Sequence, residues 1–304
     1  MTSPEWPPLP FAEWEATCDT LHMWTQIVGK TRMVLTPPLN HWWHVPFYVS
    51  PRGLTTSTIP LPHGSFDVEF DFISHRLAIR TAAGEERAFS LYPRAVADFY
   101  QEYMACLRSL AIEVHIDTAP AEFDDPTPHD QDRHHASYDR APVERFHRIL
   151  VRADRLLRLF RSRFIGKSSP VHFFWGSFDL AVTRFSGRLA PGMEKADPIT
   201  REAYSHEANS CGFWPGDRRF PSPAFYAYHS PAPQGFAQAE VHPGGWNQQL
   251  GEFILPYDDV RTAASPDAAV LDFCQSAYEA GARLANWDRD ALECHKHGLW
   301  PPHG

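Results

Sequence analysis

Hydrophobic residues recur at helical spacing in four segments of the chain. The first runs from Phe11 to Lys30, and the second begins at Pro93. The third, Val143 to Phe164, is strongly amphipathic, and the fourth begins with Ser265 as N-cap followed by Pro266. Apolar residues three and four apart form one buried stripe along a helix, and Ser followed by Pro is typical of a helix start. The pattern therefore predicts four helices that each cover a core.

Alternating apolar and polar residues predict strands in the remaining segments. Residues 66–72 alternate phenylalanine or valine with acidic side chains, which indicates a half-buried antiparallel strand. Ala82 to Glu85 is typical of a hairpin turn. Strand patterns resume at Val171 and recur around residues 204–211, 224–229 and 252–255.

The order of these elements predicts an α+β fold with an internal duplication. Two helix–antiparallel strands–helix halves, residues 1–117 and 143–304, are joined by an acidic, proline-rich linker over residues 118–142. RMVLTPPLNHWW echoes RFIGKSSPVHFFW, and AFSL followed by VADFY echoes EFIL followed by VLDFC. Because repeats pack about a pseudo-twofold, we expect one compact unit in which both halves share a seam that can hold a pocket.

A carboxylate interrupts the most apolar stretch, VHFFWGSFDLAVTRFSGR. If residues 171–185 form one strand, Trp175 and Asp179 lie on one face and the other face is apolar. A buried carboxylate must be solvated, paired or functional. Asp179 is therefore either paired with an arginine or part of a wet pocket wall. Trp175 is either a packing residue or a surface on which a ligand stacks.

Several motifs resemble those of a known family. HFFWGSFDLAVTRFSGR, VPFYVSPRGLTTSTIP, EAYSHEANSCGFWPG and LGEFILPYDDVR are similar to segments of an uncharacterised bacterial family that is described only as a domain of unknown function. The resemblance covers nearly the whole chain. It implies a full-length unit of common ancestry and no activity.

Candidate acid/base and ligand-binding residues follow from these stretches. His206 or Glu207 could meet Asp179 across the sheet as an acid/base pair, although a surface His–Glu pair before a turn fits equally. The candidate ligand-binding residues share an aromatic or cationic side chain near the predicted pocket, and they are Trp175, Arg184, Trp214, Tyr226, His135 and Tyr138. Of these, Arg184 could hold an anionic group, while His135 and Tyr138 would belong to a lid formed by the linker. The alternatives are aromatic packing and an acidic loop docked on the arginines that follow it.

Composition narrows the class of protein. The net charge is −9, and 43% hydrophobic with 21% charged residues is typical of a globular chain without a nucleic-acid or membrane partner. The five cysteines lack CxxC spacing, and the first residues do not resemble a secretory signal, so we expect reduced thiols and a cytoplasmic location.

No motif predicts a metal or cofactor. His115 with Asp117 and Glu240 with His242 have strand-face spacing, and the tail histidines His295, His297 and His303 could bind metal adventitiously. HExxH and GxGxxG are absent, and Gly166-Lys167-Ser168 lacks the rest of a phosphate loop. We therefore expect a cytoplasmic protein that binds a small organic molecule between its halves. Cofactor-independent acid/base catalysis is the first hypothesis, and a non-catalytic ligand-binding or protein-interaction module is the alternative. The pattern leaves the oligomeric state open.

Overall fold

The chain forms two compact units. The computed structural model describes residues 5–192 and 195–294. Unit 1 contains the residues up to 153 together with 172–180 and 213–223, and unit 2 contains 154–171, 181–212 and the residues from 224 onward. Helices and antiparallel sheets make up both units, which confirms the predicted α+β class. The units are assembled from discontinuous segments, and the internal duplication stays a prediction.

Unit 1 is built from three helices and the first sheet. The helices are α1 (Phe11–Leu35), α2 (Val96–Ser109) and α3 (Arg140–Ser162), whose last residues belong to unit 2. The strands are β1 (Tyr48–Val49), β2 (Gly53–Thr55), β3 (Ile59–Leu61), β4 (Gly64–Asp71), β5 (Arg76–Thr81) and β6 (Glu86–Ser90). They pair antiparallel in the order β1-β2-β4-β5-β6, with β3 on β4. The turn predicted at Ala82–Glu85 joins β5 to β6, and Gly84 has the positive φ of +86° that it requires.

Helix α1 is buried on nearly all sides rather than along one stripe. Its apolar side packs against aromatic rings, and Trp24 stacks on Phe99 with 4.8 Å between ring centroids. Its polar residues are buried as well, and they are Thr17, Asp19, Thr20, His22, Thr25, Gln26, Lys30, Thr31 and Arg32. Buried polar groups require hydrogen-bond partners. A second chain segment must therefore cover the polar side of α1.

The segment predicted as a linker covers that side. Residues 118–139 contain no helix or strand, but they are fixed to α1 by its side chains. The amide of Gln26 donates to the carbonyl of Ala121 at 2.7 Å and accepts from its N–H at 2.8 Å. The ammonium of Lys30 donates to the carbonyl of Ala119. The segment is an ordered part of unit 1.

The acidic face of β4 is covered by arginines. The apolar face is buried as predicted, through Phe66, Val68 and Phe70. Glu69 and Asp71 are also buried, since Arg80 donates to Glu69 at 2.7 Å and Arg52 donates to Asp71 at 2.7 Å. The antiparallel pairing is as predicted, but these two acidic side chains are buried too, because alternation alone does not reveal what covers the polar face.

Unit 2 contains most of the second sheet and the later helices. The sheet comprises β7 (His172–Phe174), β8 (Asp179–Leu189), β9 (His206–Trp214), β10 (Ala224–Ser230), β11 (Gly245–Asn247) and β12 (Glu252–Pro256), in the order β11-β12-β10-β9-β8-β7. Strand β7 and the adjoining ends of β8 and β9 are counted with unit 1. The helices are α4 (Pro198–Ala203), α5 (Tyr257–Thr262), α6 (Pro266–Leu284) and α7 (Arg289–Leu292). Helix α6 begins after Ser265, as predicted.

The apolar stretch around Asp179 is two strands rather than one. A turn over residues 175–178 separates β7 from β8, and Phe178 in this turn has a positive φ of +58°. The two-residue periodicity does not continue through a turn, so Phe173, Trp175 and Phe178 are all buried despite lying on different predicted faces. The prediction of a single strand over residues 171–185 is wrong.

None of the helices in residues 5–192 and 195–294 combines the length and the hydropathy that a membrane span needs.

Candidate functional site

Asp179 lies where the turn ends and β8 begins. Only 7% of its surface is exposed, and the hydroxyl of Ser177 in the turn donates a hydrogen bond to its carboxylate. The Glu122 carboxylate lies over the same turn, because a Cβ on Gly176 would be 2.8 Å from its Oε1. The carboxylate that interrupts the apolar stretch therefore belongs to a turn that is bordered by a second acidic residue.

The two candidate tryptophans pack within unit 1. The indole N–H of Trp175 donates to the carbonyl of Val45 at 2.9 Å. Its ring lies on α1 at Gly29, where a Cβ would be 2.4 Å from three ring atoms. Trp214 stacks on Phe220 with 5.9 Å between ring centroids. These contacts agree with the packing alternative for Trp175.

Replacing Gly29 with alanine is expected to lower the free energy of unfolding by about 1–3 kcal/mol, because an overpacked core must shift. This figure is the net loss, after the gain of about 1 kcal/mol that alanine brings to a helix interior. Urea denaturation measures it. In a Trp175→Leu background the same substitution should cost less, since the colliding ring is gone. An unchanged urea midpoint for Gly29→Ala alone would contradict the tight contact.

Three further candidates lie in unit 2 and have partners there. Glu207 accepts hydrogen bonds from the guanidinium of Arg188 at 2.7 and 2.9 Å. The His206 ring lies 3.1 Å from the hydroxyl of the preceding serine. Tyr226 stacks on Tyr228 with 6.1 Å between centroids. The proposed meeting of Asp179 with His206 or Glu207 stays a prediction.

Arg184 is enclosed by aromatic rings in unit 2. Its guanidinium carbon lies 3.5 Å from the ring centroid of Phe160, 4.4 Å from Tyr278 and 5.1 Å from Phe164. Nη2 donates to the carbonyl of Phe160 in the last turn of α3, while Nε and Nη1 have no partner among the described residues. Burial lowers the pKa of Arg184 to about 10. This fully buried side chain stabilises the carboxyl end of α3.

Tyr138 is a buried residue of unit 1. Its hydroxyl lies 3.0 Å from Nδ1 of His75, whose Nε2 lies 3.2 Å from a carboxylate oxygen of Glu144. The ring stacks on Trp24 with 5.5 Å between centroids, and only 4% of the residue is exposed. Burial raises the pKa of the Tyr138 phenol.

His135 is part of a cleft in unit 1. The cleft has a volume of about 500 Å³ and is bordered by α1, the segment before α3 and the segment after β9. Its lining residues are Ala12, Glu15, Ala16, Asp19, His134, His135, Ala136, Ser137 and Arg218. Its lining combines alanine side chains with several polar side chains, so it is the candidate ligand cleft of unit 1.

Asp132 orients the His135 ring in this cleft. One carboxylate oxygen accepts the backbone N–H groups of His134 and His135 at 2.9 and 3.0 Å. The other lies 2.8 Å from Nδ1 of His135. A carboxylate only accepts hydrogen bonds, so Nδ1 carries a proton, and in the neutral ring the lone pair is on Nε2. The side chain of His135 is 8% exposed. This is the arrangement of a histidine prepared to accept a proton.

Two carboxylates and one arginine form the opposite part of the lining. Arg218 donates from Nε to Glu15 at 2.8 Å and from Nη2 to Asp19 at 2.5 Å. Burial raises the pKa of Asp19, although Arg218 acts in the opposite direction. The cleft therefore joins a histidine–carboxylate dyad to a second polar cluster.

A smaller cleft of about 350 Å³ also lies in unit 1. It is lined by Glu5, Pro51, Ile73, His147, Arg148, Val151 and Arg152. Its histidine is held by the backbone, since Nε2 of His147 donates to the carbonyl of Ser50 at 3.2 Å, and burial lowers the pKa of His147. The cleft at His135 is the better candidate because a carboxylate orients its histidine.

Arginines of α3 pair with acidic residues outside the linker segment. Arg145 pairs with Glu13, Arg152 with Glu5, and Arg155 with Asp267. The sequence suggested that the acidic linker neutralises these arginines. The partners found instead are in α1, before α1 and in α6.

The sequence contained signals for two parts of the cleft. Asp132 and His135 are three residues apart, which is the spacing of an Asx turn whose carboxylate can also contact the histidine ring. Glu15 and Asp19 are four residues apart and therefore lie on one face of α1. Arg218 follows β9, and no local pattern connects it with residues about 200 positions earlier.

The described residues contain no group of three or more His, Cys, Asp or Glu side chains that could hold a metal ion. The tail histidines His295, His297 and His303 lie outside the described residues.

Comparison with known proteins gives a family and no activity. The chain matches no curated protein. It also matches no solved structure. The model of a family described as a family of unknown function, DUF5996, matches residues 6–294. The match covers nearly the full chain, so this protein belongs to the DUF5996 family.

Proposed function

We propose that the cleft at His135 binds a small polar molecule and that His135 acts on it as a general base. The observation that carries the proposal is the 2.8 Å contact between Asp132 and Nδ1 of His135. This contact fixes the tautomer in which Nε2 can accept a proton. The acid/base class of reaction is the one expected from the sequence, whereas the residues are different. The predicted roles of Asp179, His206 and Glu207 stay predictions.

The proposed chemistry is a proton transfer from the bound molecule, or from a water beside it, to Nε2 of His135. The imidazolium that forms is stabilised by the Asp132 carboxylate, which keeps its own negative charge. Nearby carboxyl groups and hydroxyls, from Asp19 and Ser137, can hold polar groups of the ligand. No step requires a group from outside the chain other than the substrate and water.

Replacing His135 with glutamine is expected to lower turnover by about 100-fold or more, because general-base catalysis contributes about 10²–10⁴-fold. Glutamine can keep the hydrogen bond to Asp132, which favours correct folding. The substrate need not be known for the measurement. The protein is incubated in D₂O with a pooled extract of polar metabolites, and mass spectrometry follows deuterium incorporation and product masses.

His134→Gln is the matched control, since His134 lines the same cleft but its ring is exposed. We expect this variant to retain the wild-type mass changes. Equal mass changes with wild-type protein and His135→Gln would exclude His135 as the base. Retention of a metabolite by the wild-type protein without any mass change would favour the alternative, a non-catalytic binding protein.

A further inference from the structure

The cleft contains a pair of carboxylates, Glu15 and Asp19, that share one exposed partner, Arg218. Glu15 and Asp19 are one helical turn apart on α1, so their carboxylates face the same direction. The Asp19 side chain is 10% exposed and that of Glu15 is 37% exposed, whereas 54% of the Arg218 side chain is exposed. The positive charge is therefore the most exposed member of this cluster, and it is the one that a ligand can displace with the least disturbance of the core.

The charges of the lining indicate which ligands can enter. Arg218 is the only lysine or arginine among the described residues of the lining, and both Glu15 and Asp19 already accept hydrogen bonds from it. An anionic ligand would have to displace these two carboxylates and then lie beside them. A cationic ligand would have to displace only Arg218, whose charge it would replace. The lining therefore favours cations over anions.

We propose that Glu15 and Asp19 recognise an ammonium, amidinium or guanidinium group of the ligand, and that Arg218 occupies their site when no ligand is bound. The guanidinium of Arg218 lies at 2.8 Å from Glu15 and 2.5 Å from Asp19, and it marks the position of the ligand's cation. A second observation independently points to a ligand here. The nine-tenths buried ring of His135 lines the same cleft, with Nδ1 fixed by Asp132 and Nε2 left to accept a proton.

This inference names the substrate class of the site under Proposed function and rests on that site. It replaces the anionic substrate expected at Arg184 with a cationic one. An amine or amidine beside a general base is consistent with the proposed function, because Nε2 of His135 can accept a proton from the nitrogen or from an adjacent carbon.

The test compares three probes of nearly equal shape, which are acetamidinium, acetamide and acetate. Each is titrated into wild-type protein and into Arg218→Ala, and backbone amide shifts of residues 12–19 and 134–137 are followed by NMR. Removing Arg218 leaves the carboxylates unpaired, so acetamidinium should bind this variant about tenfold more tightly than it binds wild type. Acetate and acetamide should not gain affinity.

Arg219→Ala is the matched control, since Arg219 is in the same loop but pairs with Asp217. It should bind acetamidinium as wild type does. Adding Glu15→Gln to Arg218→Ala should remove most of the gained affinity. If Arg218→Ala does not fold, the wild-type titrations decide, because the inference requires acetamidinium to bind more tightly than acetate. Acetate binding as tight as that of acetamidinium would overturn it.

His135→Gln separates this inference from the proposed catalysis. The variant should bind acetamidinium as wild type does, because the cation site does not include His135. Cation binding without turnover in any form of the protein would support the inference and remove the proposed function. Turnover that depends on His135 but acts only on anionic substrates would support the proposed function and overturn this inference.

Discussion

Acidification from pH 7 to pH 5 is expected to lower the free energy of unfolding by about 2 kcal/mol for each of two buried histidines, His22 and His129. Burial lowers the pKa of both from 6.5 to about 4. Between pH 6.5 and pH 4 these histidines are protonated in the unfolded chain but mostly neutral in the folded chain. The stability from these groups is therefore complete above pH 6.5 and is lost as the pH falls toward 4. The raised pKa of Asp19 opposes part of this loss.

The geometry explains why these rings stay neutral. Neither ring nitrogen of His129 has a hydrogen-bond partner among the described residues, and the charge of Lys30 further disfavours protonation. His22 donates from Nε2 to the carbonyl of Gly176 at 2.9 Å, which offsets only part of its burial. Both rings lie in unit 1, and His22 belongs to the polar side of α1 itself.

Urea denaturation between pH 5 and pH 7 measures the effect, and His129→Gln isolates one group. Its stability should fall less steeply with acid than that of wild type, by about 1 kcal/mol per pH unit averaged over this range. His63→Gln, an exposed position between β3 and β4, is the control and should leave the slope unchanged. Parallel pH profiles for wild type and His129→Gln would mean that His129 titrates alike in the folded and unfolded chain.

The second large effect is expected from Arg184. Replacing it with alanine should lower the free energy of unfolding by about 3–5 kcal/mol, because the change leaves a cavity among three aromatic rings and removes the cap of α3. Methionine fills similar space without a buried charge, so Arg184→Met should remain within about 1 kcal/mol of wild type. Chemical denaturation followed by tryptophan fluorescence measures both variants.

Arg188→Ala provides the control, since Arg188 is 48% exposed and forms a surface ion pair with Glu207. It should cost less than about 1 kcal/mol. Equal losses for Arg184→Ala and Arg188→Ala would contradict a packing role for the aromatic enclosure. A loss for Arg184→Met as large as that for Arg184→Ala would instead assign the stability to the charge itself.

The regular elements were the predictable part of the fold. Helical spacing located the four long helices, and the Ser265–Pro266 start of α6 was located to the residue, because these signals depend on neighbours within one or two turns. The turn at 175–178 was missed although Gly176 and Ser177 are turn-favouring residues, since the aromatic residues around them dominate the apolar pattern. Local sequence patterns therefore locate regular helices and strands better than they locate a turn that interrupts a strand.

The candidate site was predictable only in part. His135 was proposed from the sequence, but as a lid residue, and its dyad with Asp132 depends on a turn that spacing alone does not specify. The contribution of Arg218 could not be predicted from the sequence, because Arg218 and its partner Asp19 are 199 positions apart in the chain. The aromatic enclosure of Arg184 was not predicted, because an arginine in a strand gives no indication of whether its surroundings are water or aromatic rings.

The attachment of residues 118–139 to α1 has a consequence for synthesis of the chain. Gln26 finds its partner 95 residues later, and Thr17 accepts from the N–H of Asp139, 122 residues later. A ribosome adding about 5–20 residues per second needs on the order of 5 to 25 s to supply those partners. During that interval the polar groups of a newly made α1 must be satisfied by water. Although α1 is the first helix to be made, it can therefore reach its final packing only after residues 118–139 have been synthesised.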